Sequence, residues 1–442
     1  MIQLQDHFTY RRLLQFTLPT IFTLIITSVY SVVDAGFVSN LVSADAFAAV
    51  NLVMPFVMIL GSVGFMFGTG GAAVLSKLRG EKRSEEANGV FSLLVLVSIG
   101  VGILLAIGGN VALVPFLRAS GADVSLISLC EEYGRLYLAG IPFFILQYEF
   151  QSYLIVAERP RLSMWITVLA GVTNIVLDYV FMALFHWGLY GAAGATVIGQ
   201  AIGGLTALGY TRFGATSRLR FGRPISAWSA VVKTMGNGSS ELLSNVSSSL
   251  VSVLINAQLM SFIGKAGVVA YGIMMYVDFM FNAIFFGYSI GMAPIIAYHY
   301  GARNRDEMKN VFIKSLVIVE TAAIVITVLA EISAQLLARL FVGYDEALTA
   351  LTTHGFRMYA FLFLAGGIPL FTSAFFTALS NGAVSASVSF MRTLVFQMIC
   401  ITVLPMILGL NGIWISMAVA EFLSAMVSLV LLYKYRRRYG YL

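Results

Sequence analysis

Charged residues are scarce in this chain of 442 residues, where Asp, Glu, Lys and Arg together make up 11%. Soluble domains average about 25% charged residues, so the composition excludes a soluble globular fold. Hydrophobic residues make up 59% of the chain, and the mean hydropathy is +0.88. Apolar runs of about 20 residues, long enough to cross the hydrocarbon core of a bilayer, recur along the whole sequence. The composition therefore predicts a polytopic membrane protein.

Cysteine and histidine are also rare. The two cysteines, Cys130 and Cys400, lie far apart, and we interpret both as free thiols. The four histidines are scattered near the ends of apolar runs: His7, His186, His299 and His354. No His/Cys cluster or nucleophile motif occurs within an apolar run. This argues against a membrane-embedded enzyme, and we expect no cofactor.

The apolar runs predict twelve membrane spans, six in each half of the chain. The first six cover roughly 13–38, 50–76, 89–110, 131–156, 162–185 and 188–210. The second six cover roughly 232–262, 268–299, 309–340, 354–380, 384–408 and 411–433. The predicted fold class is therefore all-α integral membrane, with two six-helix bundles.

The two halves form an internal repeat with an offset of 221 positions. Gly80–Glu86 aligns with Gly301–Glu307, and Gly188–Gly191 aligns with Gly409–Gly412. Each half has an even number of spans, so both halves enter and leave the membrane on one side. The repeat is therefore parallel, with a pseudo-two-fold along the membrane normal. The predicted boundaries are 1–210 for an N-lobe, 211–230 for a linker and 231–442 for a C-lobe.

The basic residues predict the orientation. Of the 27 Lys and Arg residues, 21 fall on the side that carries both termini and five on the other side, while Arg392 lies inside a span. By the positive-inside rule, we expect a multi-pass protein of the cytoplasmic (inner) membrane with both termini in the cytoplasm. These dispersed loop residues account for the net charge of +6, so we expect no nucleic-acid partner.

Carboxylates also occur inside the predicted spans, where they are costly and usually mark an ion or substrate path. Seven lie well inside: Asp34, Glu149, Asp178, Glu241, Asp278, Glu320 and Glu421. Arg392 is the one basic residue clearly inside a span. Most of these acids must be neutral, hydrogen-bonded, cation-bound or in contact with water. Such an excess suits proton or sodium coupling and cationic substrates.

One group of polar residues falls at a single level of the first bundle. Asn174 and Asp178 are four residues apart, so they share a helix face. The depth of Asp34 in span 1 and of Thr196 in span 6 brings both to the same outer level. Carboxylate, amide and hydroxyl oxygens suit a small cation, by analogy with oxygen-rich cation sites. The alternative is a structural Asp that holds two helices together by hydrogen bonds.

Span 8 is crowded with methionines and aromatic residues around Asp278, among them Met275 and Tyr276. Such residues can form an adaptable surface for varied ligands, although in a membrane helix they also face lipid or a neighbouring helix. Glu241 lies in a polar run of span 7. We predict that these four residues line a substrate cavity.

Two prolines are predicted hinges: Pro19 in span 1 and Pro142 in span 4. Proline frees a backbone carbonyl within a span, and freed carbonyls line cavities or are satisfied by neighbouring groups. Simple packing kinks are the alternative.

At these residues the chain resembles the multidrug and toxic compound extrusion (MATE) transporters, and within them the DinF-like and MepA-like branch. The resemblance covers essentially the whole chain. It is carried by Pro19, Val33-Asp34, Asn174–Asp178, Gly188–Thr196 and Gly409–Trp414, together with the repeat. It implies a V-shaped antiporter that exports organic, often cationic, compounds against an inward flow of protons or sodium ions.

The resemblance also implies roles for particular residues. The family's N-lobe cation site uses an Asp on helix 1, an Asn and an Asp on helix 5 and a Thr on helix 6, which correspond to Asp34, Asn174, Asp178 and Thr196. It also uses an Asn on helix 4, where this chain has Gln151. That departure leaves the choice between proton and sodium open. Another branch uses carboxylates on helices 7 and 10. Glu241 matches the first, but span 10 has no acid.

The nearest rival is a flippase for lipid-linked precursors from the same superfamily. Such flippases often line the cleft with basic residues, whereas here acids outnumber bases inside the spans by seven to one. The expected partners are organic cations and other amphiphilic drugs, together with the lipid bilayer. We expect a monomer.

Overall fold

A computed structural model describes residues 2–119, 124–214, 218–343 and 345–442. These residues form helices joined by short turns, with no strand among them. The first half contains α1 (Tyr10–Leu41), α2 (Ala44–Gly80), α3 (Ser84–Ala119), α4 (Val124–Ala139), α5 (Ile141–Val156), α6 (Pro160–Asp178) and α7 (Gly188–Phe213). The second half contains α8 (Trp228–Ile263), α9 (Lys265–Gly301), α10 (Arg305–Val342), α11 (Glu346–Ala360), α12 (Leu362–Ala378), α13 (Gly382–Phe390), α14 (Gln397–Leu408) and α15 (Leu410–Tyr439).

The helices account for the predicted spans, but spans 4 and 10 are each broken into two helices. Within the described ranges, ten helical segments are long and apolar enough to cross a membrane, and α11 with α12, bent by 44°, makes an eleventh. The segment predicted as span 4 is broken at Gly140 into α4 and α5, each of 16 residues. Pro142 lies in the first turn of α5, just after this break, whereas Pro19 lies inside a continuous α1.

Several helix boundaries follow from local sequence. The Thr9 side chain accepts a hydrogen bond from the backbone N–H of Arg12, and Ser43 accepts one from Ala46. These side chains satisfy first-turn amides that have no partner within the helix. Gly264 and Gly409 end α8 and α14 with φ of +67° and +58°. Glycine suits both positions because it has no Cβ to clash there.

The repeat predicted from sequence is visible in the packing. Helices α2 and α9 begin at 44 and 265, and α3 and α10 begin at 84 and 305. Helix α1 packs on α9 in the same way that α2 packs on α8, and α2 also packs directly on α9. Exchanging the halves leaves this contact pattern unchanged, which is the relationship that a pseudo-two-fold axis between α2 and α9 produces.

The two halves touch backbone to backbone at the end of the bundle that carries both termini, which we call the terminal end. A Cβ placed at Gly80 would lie 2.0 Å from the carbonyl oxygen of Tyr298, and one at Gly301 would lie 2.2 Å from that of Lys77. Only glycine permits such an approach. These two contacts are mates under the repeat, and they close the terminal end.

At the opposite end, which we call the distal end, the halves diverge. Tyr276 and Met280 lie on the same face of α9 as Gly287 and Gly291, which contact α1 near the terminal end. Yet Tyr276 and Met280 are each 47% exposed. A cleft between the halves therefore opens toward the distal end.

The residues before α1 bridge both halves at the terminal end. The backbone N–H of Leu4 donates to Glu158 Oε1 (3.1 Å) in the first half, and that of Phe8 donates to Glu307 Oε1 (2.8 Å) in the second. The side chains of Leu4 and Phe8 are fully buried in the apolar core of the second half. This segment therefore fastens the closed end.

The outer surface is apolar. Val111, Ile332 and Leu340 on α3 and α10 are each at least 75% exposed. A soluble monomer rarely exposes an apolar surface of this extent, and a membrane protein turns it toward lipid.

Candidate cation site and substrate cleft

Three helices of the first half bring the predicted cation residues together. Helix α1 carries Asp34, α6 carries Asn174 and Asp178, and α7 carries Thr196. Helix α6 packs on both α1 and α7. A π-helical turn, Tyr179–Leu184, begins immediately after Asp178. Such turns are frequent at functional sites, because they change the direction of the side chains that follow.

The centre of the site is a pair of carboxyl groups. Asp178 is fully buried, Asp34 is 9% exposed, and their carboxyl groups lie within hydrogen-bonding reach of each other. Apart from this mutual contact, both oxygens of Asp178 and Oδ1 of Asp34 have no hydrogen-bond partner among the described residues. A buried carboxylate without partners is costly, so the pair favours a shared proton or a bound cation.

Asn174 and Thr196 complete the group. Asn174 Nδ2 donates to Thr196 Oγ1 at 3.4 Å, and Thr196 Oγ1 donates to the carbonyl oxygen of Ala192 at 3.0 Å. The amide carbonyl oxygen of Asn174 is not engaged in this bond. The hydroxyl oxygen of Thr196 retains a lone pair. Both oxygens are of the hard type that alkali cations prefer.

A small cavity of about 60 Å³ adjoins these residues. Liquid water occupies about 30 Å³ per molecule, so the cavity holds one or two waters or a small cation, but no drug-sized compound. Its polar lining consists of Tyr30, Ser31, Asp34, Tyr137, Gln147, Tyr148, Asn174, Thr196 and Gln200.

The predicted helix-4 residue is displaced by one turn. Gln151 does not line the cavity, and its neighbour along the α5 face, Gln147, takes that position. The structure therefore places Gln147, and not Gln151, on the cavity wall, and a coupling role for Gln151 stays a prediction. Sequence fixes the depth of a residue within a span only to about one turn, which is the separation between these two glutamines.

Sequence reasoning also missed Tyr30, Tyr137 and Gln200. Gln200 Nε2 donates to Tyr137 Oη at 2.9 Å, which closes one wall of the cavity. A signal was available for two of these residues. Tyr30 lies four residues before Asp34, and Gln200 lies four residues after Thr196, so each shares a helix face with a predicted ligand.

The second half contains a different polar cluster. Arg392, in a π-helical turn Met391–Phe396, donates from Nε to Glu421 Oε2 at 2.9 Å. Its charge also acts on Glu241 and Asp278. Asp278 Oδ1 accepts a hydrogen bond from Asn282 at 2.9 Å. Arg392 thus pairs directly with Glu421 and lies within electrostatic range of two further carboxyl groups, so acids outnumber bases in this cluster.

The four predicted substrate residues do not share one surface. Glu241 lies on the face of α8 that contacts α2 lower down, and Tyr276 lies on the cleft face of α9. Asp278 lies on the opposite face of α9, near Tyr359 and Arg392. Met275 packs against the core of the second half. The geometry thus places Glu241 and Tyr276 on the cleft walls and the other two residues behind them.

Comparison with known proteins agrees with this architecture. The profile of the MatE family matches residues 19–180 and 242–403, which lie in the two halves of the repeat. The chain is 25% identical to the multidrug export protein MepA of Staphylococcus haemolyticus (strain JCSC1435), over 97% of this chain and 94% of the relative. It is 24% identical to MepA of Staphylococcus aureus (strain MRSA252), with the same coverage.

A solved structure has the same fold. It is the outward-facing conformation of a multidrug resistance MATE family transporter of the MOP superfamily. The TM-score is 0.92 at 20% sequence identity, over 98% of this chain and 97% of the other.

Proposed function

This chain belongs to the MATE family of membrane transporters, and from that premise we propose that it exports organic, mainly cationic, compounds in exchange for protons or sodium ions. As a multi-pass transporter of this family it is not an enzyme. The buried Asp34–Asp178 pair carries the coupling part of the proposal, because no lysine or arginine among the described residues forms an ion pair with it. We further propose that it lies in the cytoplasmic membrane with the terminal end inside.

The shape of the molecule supports alternating access. The terminal end is closed by the Gly80 and Gly301 contacts, and the cleft opens at the distal end. Rocking one half against the other about the α2–α9 contact would open the terminal end in turn. With the proposed orientation, the present conformation faces outward and releases cargo.

Cation binding can drive this cycle only if it favours one conformation over the other. A proton or sodium ion at Asp34 and Asp178 offsets negative charge and removes the penalty of keeping both carboxylates in a poorly solvated pocket. An inward gradient supplies ~2.3 kcal/mol per charge per 100 mV. We propose that the occupied site bends or repacks α1 between Pro19 and Asp34 and so expels the cargo.

The acidic walls support a cationic cargo. Glu241 lies on the face of α8 that contacts α2 lower down, and the cluster around Arg392 carries more acid than base. A flippase for lipid-linked pyrophosphates is disfavoured by this charge balance, since a pyrophosphate group needs basic ligands.

Uptake of a fluorescent organic cation into everted membrane vesicles tests the proposal, with the proton and sodium gradients imposed separately. We expect uptake that depends on at least one of the two gradients. Uptake of equal rate with both gradients collapsed would show an uncoupled facilitator and overturn the antiport mechanism.

A further inference from the structure

A second pocket, of about 430 Å³, lies at the terminal end between the two halves, and we call it the junction pocket. Lys77 and Glu81, at the end of α2, form its first-half wall. Residues His299, Arg303, Arg305 and Arg438 line the second-half wall. It is far from the cation site, which lies among α1, α6 and α7, and neither coupling nor cargo recognition uses it.

The junction pocket has an excess of positive charge. Its single lining carboxylate, Glu81, is shared between Lys77 (4.0 Å) and Arg83 (3.2 Å). Arg303, Arg305 and Arg438 form no ion pair with any carboxylate in the described part of the chain. Four cations therefore face one engaged carboxylate.

The remaining lining adds a donor and an aromatic wall. His299 is 2% exposed, and neither ring nitrogen makes a well-formed hydrogen bond. The rings of Tyr300 and Tyr439 pack at 5.8 Å between centroids, and Asn381 Nδ2 donates to Tyr439 Oη at 3.0 Å, which fixes that wall. The His299 ring also lies near the Leu4 backbone and Glu307, so the unpaired basic side chains are the feature of the pocket that an anion would neutralise.

Two basic residues of the first half are neutralised by a buried carboxylate. There Arg79 and Arg218 both pair with Glu158, at 3.3 and 2.9 Å, and Glu158 is almost fully buried. In the second half, the corresponding left-handed turn residue is Ser380, with φ of +58° against +61° for Glu158. The first half thus supplies its own counter-anion at this end, and the junction pocket lacks one.

We propose that the junction pocket binds a phosphate-bearing anion, either an anionic phospholipid headgroup or free phosphate, and that the bound anion holds the terminal end closed. Arginine side chains bind phosphate oxygens in pairs of parallel hydrogen bonds, and lysine binds them as a point charge. Because Lys77 belongs to one half and the arginines to the other, the full set of ligands exists only while this end is closed. The anion therefore opposes opening of the terminal end by mass action.

The test uses the purified full chain in neutral detergent micelles. Binding is measured by the shift in thermal unfolding and by native mass spectrometry on adding phosphatidylglycerol, phosphatidylcholine or inorganic phosphate at constant ionic strength. The variants are Arg303→Gln and Lys77→Gln, one from each wall. Lys82→Gln is the matched control, since Lys82 is the repeat mate of Arg303, has the same left-handed backbone (φ of 62° against 55°) and does not line the pocket.

We expect phosphatidylglycerol or inorganic phosphate, but not phosphatidylcholine, to bind the wild type. Binding should weaken by about tenfold or more in Arg303→Gln and Lys77→Gln and stay unchanged in Lys82→Gln. An effect of phosphatidylglycerol alone assigns the lipid, and an equal effect of free phosphate assigns the soluble anion. Equal losses in Arg303→Gln and Lys82→Gln would mean general charge attraction and overturn the site. An unchanged Lys77→Gln would overturn its placement across the junction.

Discussion

The carboxyl groups of Asp34 on α1 and Asp178 on α6 face each other inside the first half, and no basic residue in the described chain pairs with either. Two acids in this arrangement are stable together only with a proton or cation between or beside them. The contact joins α1, which packs on α9 of the second half, to α6, which packs on α1, α5 and α7 of the first half. Occupancy of the pair can therefore alter how α1 sits between the halves.

The two glutamines of α5 give a sharp test of the cavity. Gln147→Ala should lower gradient-driven export by about fivefold to tenfold, because the cavity loses a polar lining group. Gln151→Ala, one turn away, should change export little. Export assays on both variants at matched expression show which glutamine contributes to the cation cavity. The reverse ranking would restore Gln151 to the site and remove Gln147.

Substitutions of Glu241 and Asp278 should distinguish a residue that recognises charged cargo from one with a structural role. Glu241→Gln should reduce export of monovalent organic cations more than export of neutral compounds, because Glu241 lies on the face of α8 that contacts α2 of the other half lower down. Asp278→Asn should affect both classes alike, since Asp278 is held by Asn282 behind the cleft wall. Competition assays with cationic and neutral cargo measure this. A selective loss of cations in Asp278→Asn alone would place the recognition site on the inner face of α9.

The glycine contacts predict a shift in conformation. Gly80→Ala puts a methyl group against the Tyr298 carbonyl oxygen and should shift the equilibrium about tenfold or more toward an open terminal end. A thiol at Thr234, which is fully buried at this end, should then react faster with maleimide. Gly209→Ala is the control, because nothing lies within 4 Å of its added methyl group. Equal reactivity in both variants would show that the Gly80 contact does not govern closure.

The sequence was sufficient for most of the fold. Long apolar runs and the offset of 221 predicted helices over 188–210 and 384–408, and the structure has α7 at Gly188–Phe213 and α13 to α14 at Gly382–Leu408. Apolar length and repeats are local properties, so they can be read without tertiary information. The break at Gly140 lies two residues before Pro142, which the sequence marks as a hinge of span 4. The π-helical turn after Asp178 depends on how neighbouring helices pack, and no local pattern predicted it.

Most of the candidate cation site could also be predicted from the sequence. Asp34, Asn174, Asp178 and Thr196 lie close together in the structure. Their spacing along the helices and their positions within the spans can both be taken from the sequence. The sequence did not single out Gln147, which lines the cavity, because the relative height of two helices is set by side-chain packing. For the same reason the sequence could not show that Asp278 lies on the inner face of α9 while Tyr276 faces the cleft.

The predicted orientation has a direct test in intact cells. Single cysteines in place of Asp45 or Arg118 should react with an impermeant thiol reagent from outside, and one in place of Arg83 should not. All three positions are exposed, and Cys130 and Cys400 are buried, so background labelling should be low. Labelling at Arg83 with protection at Asp45 would invert the topology.

The most direct test of the coupling site is export of a fluorescent organic cation from reconstituted vesicles, with proton and sodium gradients imposed separately. Asp34→Asn and Asp178→Asn should each abolish the response to the driving gradient while leaving folding near normal. Glu320→Gln, a span carboxyl outside the cluster, should keep most of it. Wild-type export by both Asp variants under either gradient would contradict the account and move the search for the coupling group to Glu241.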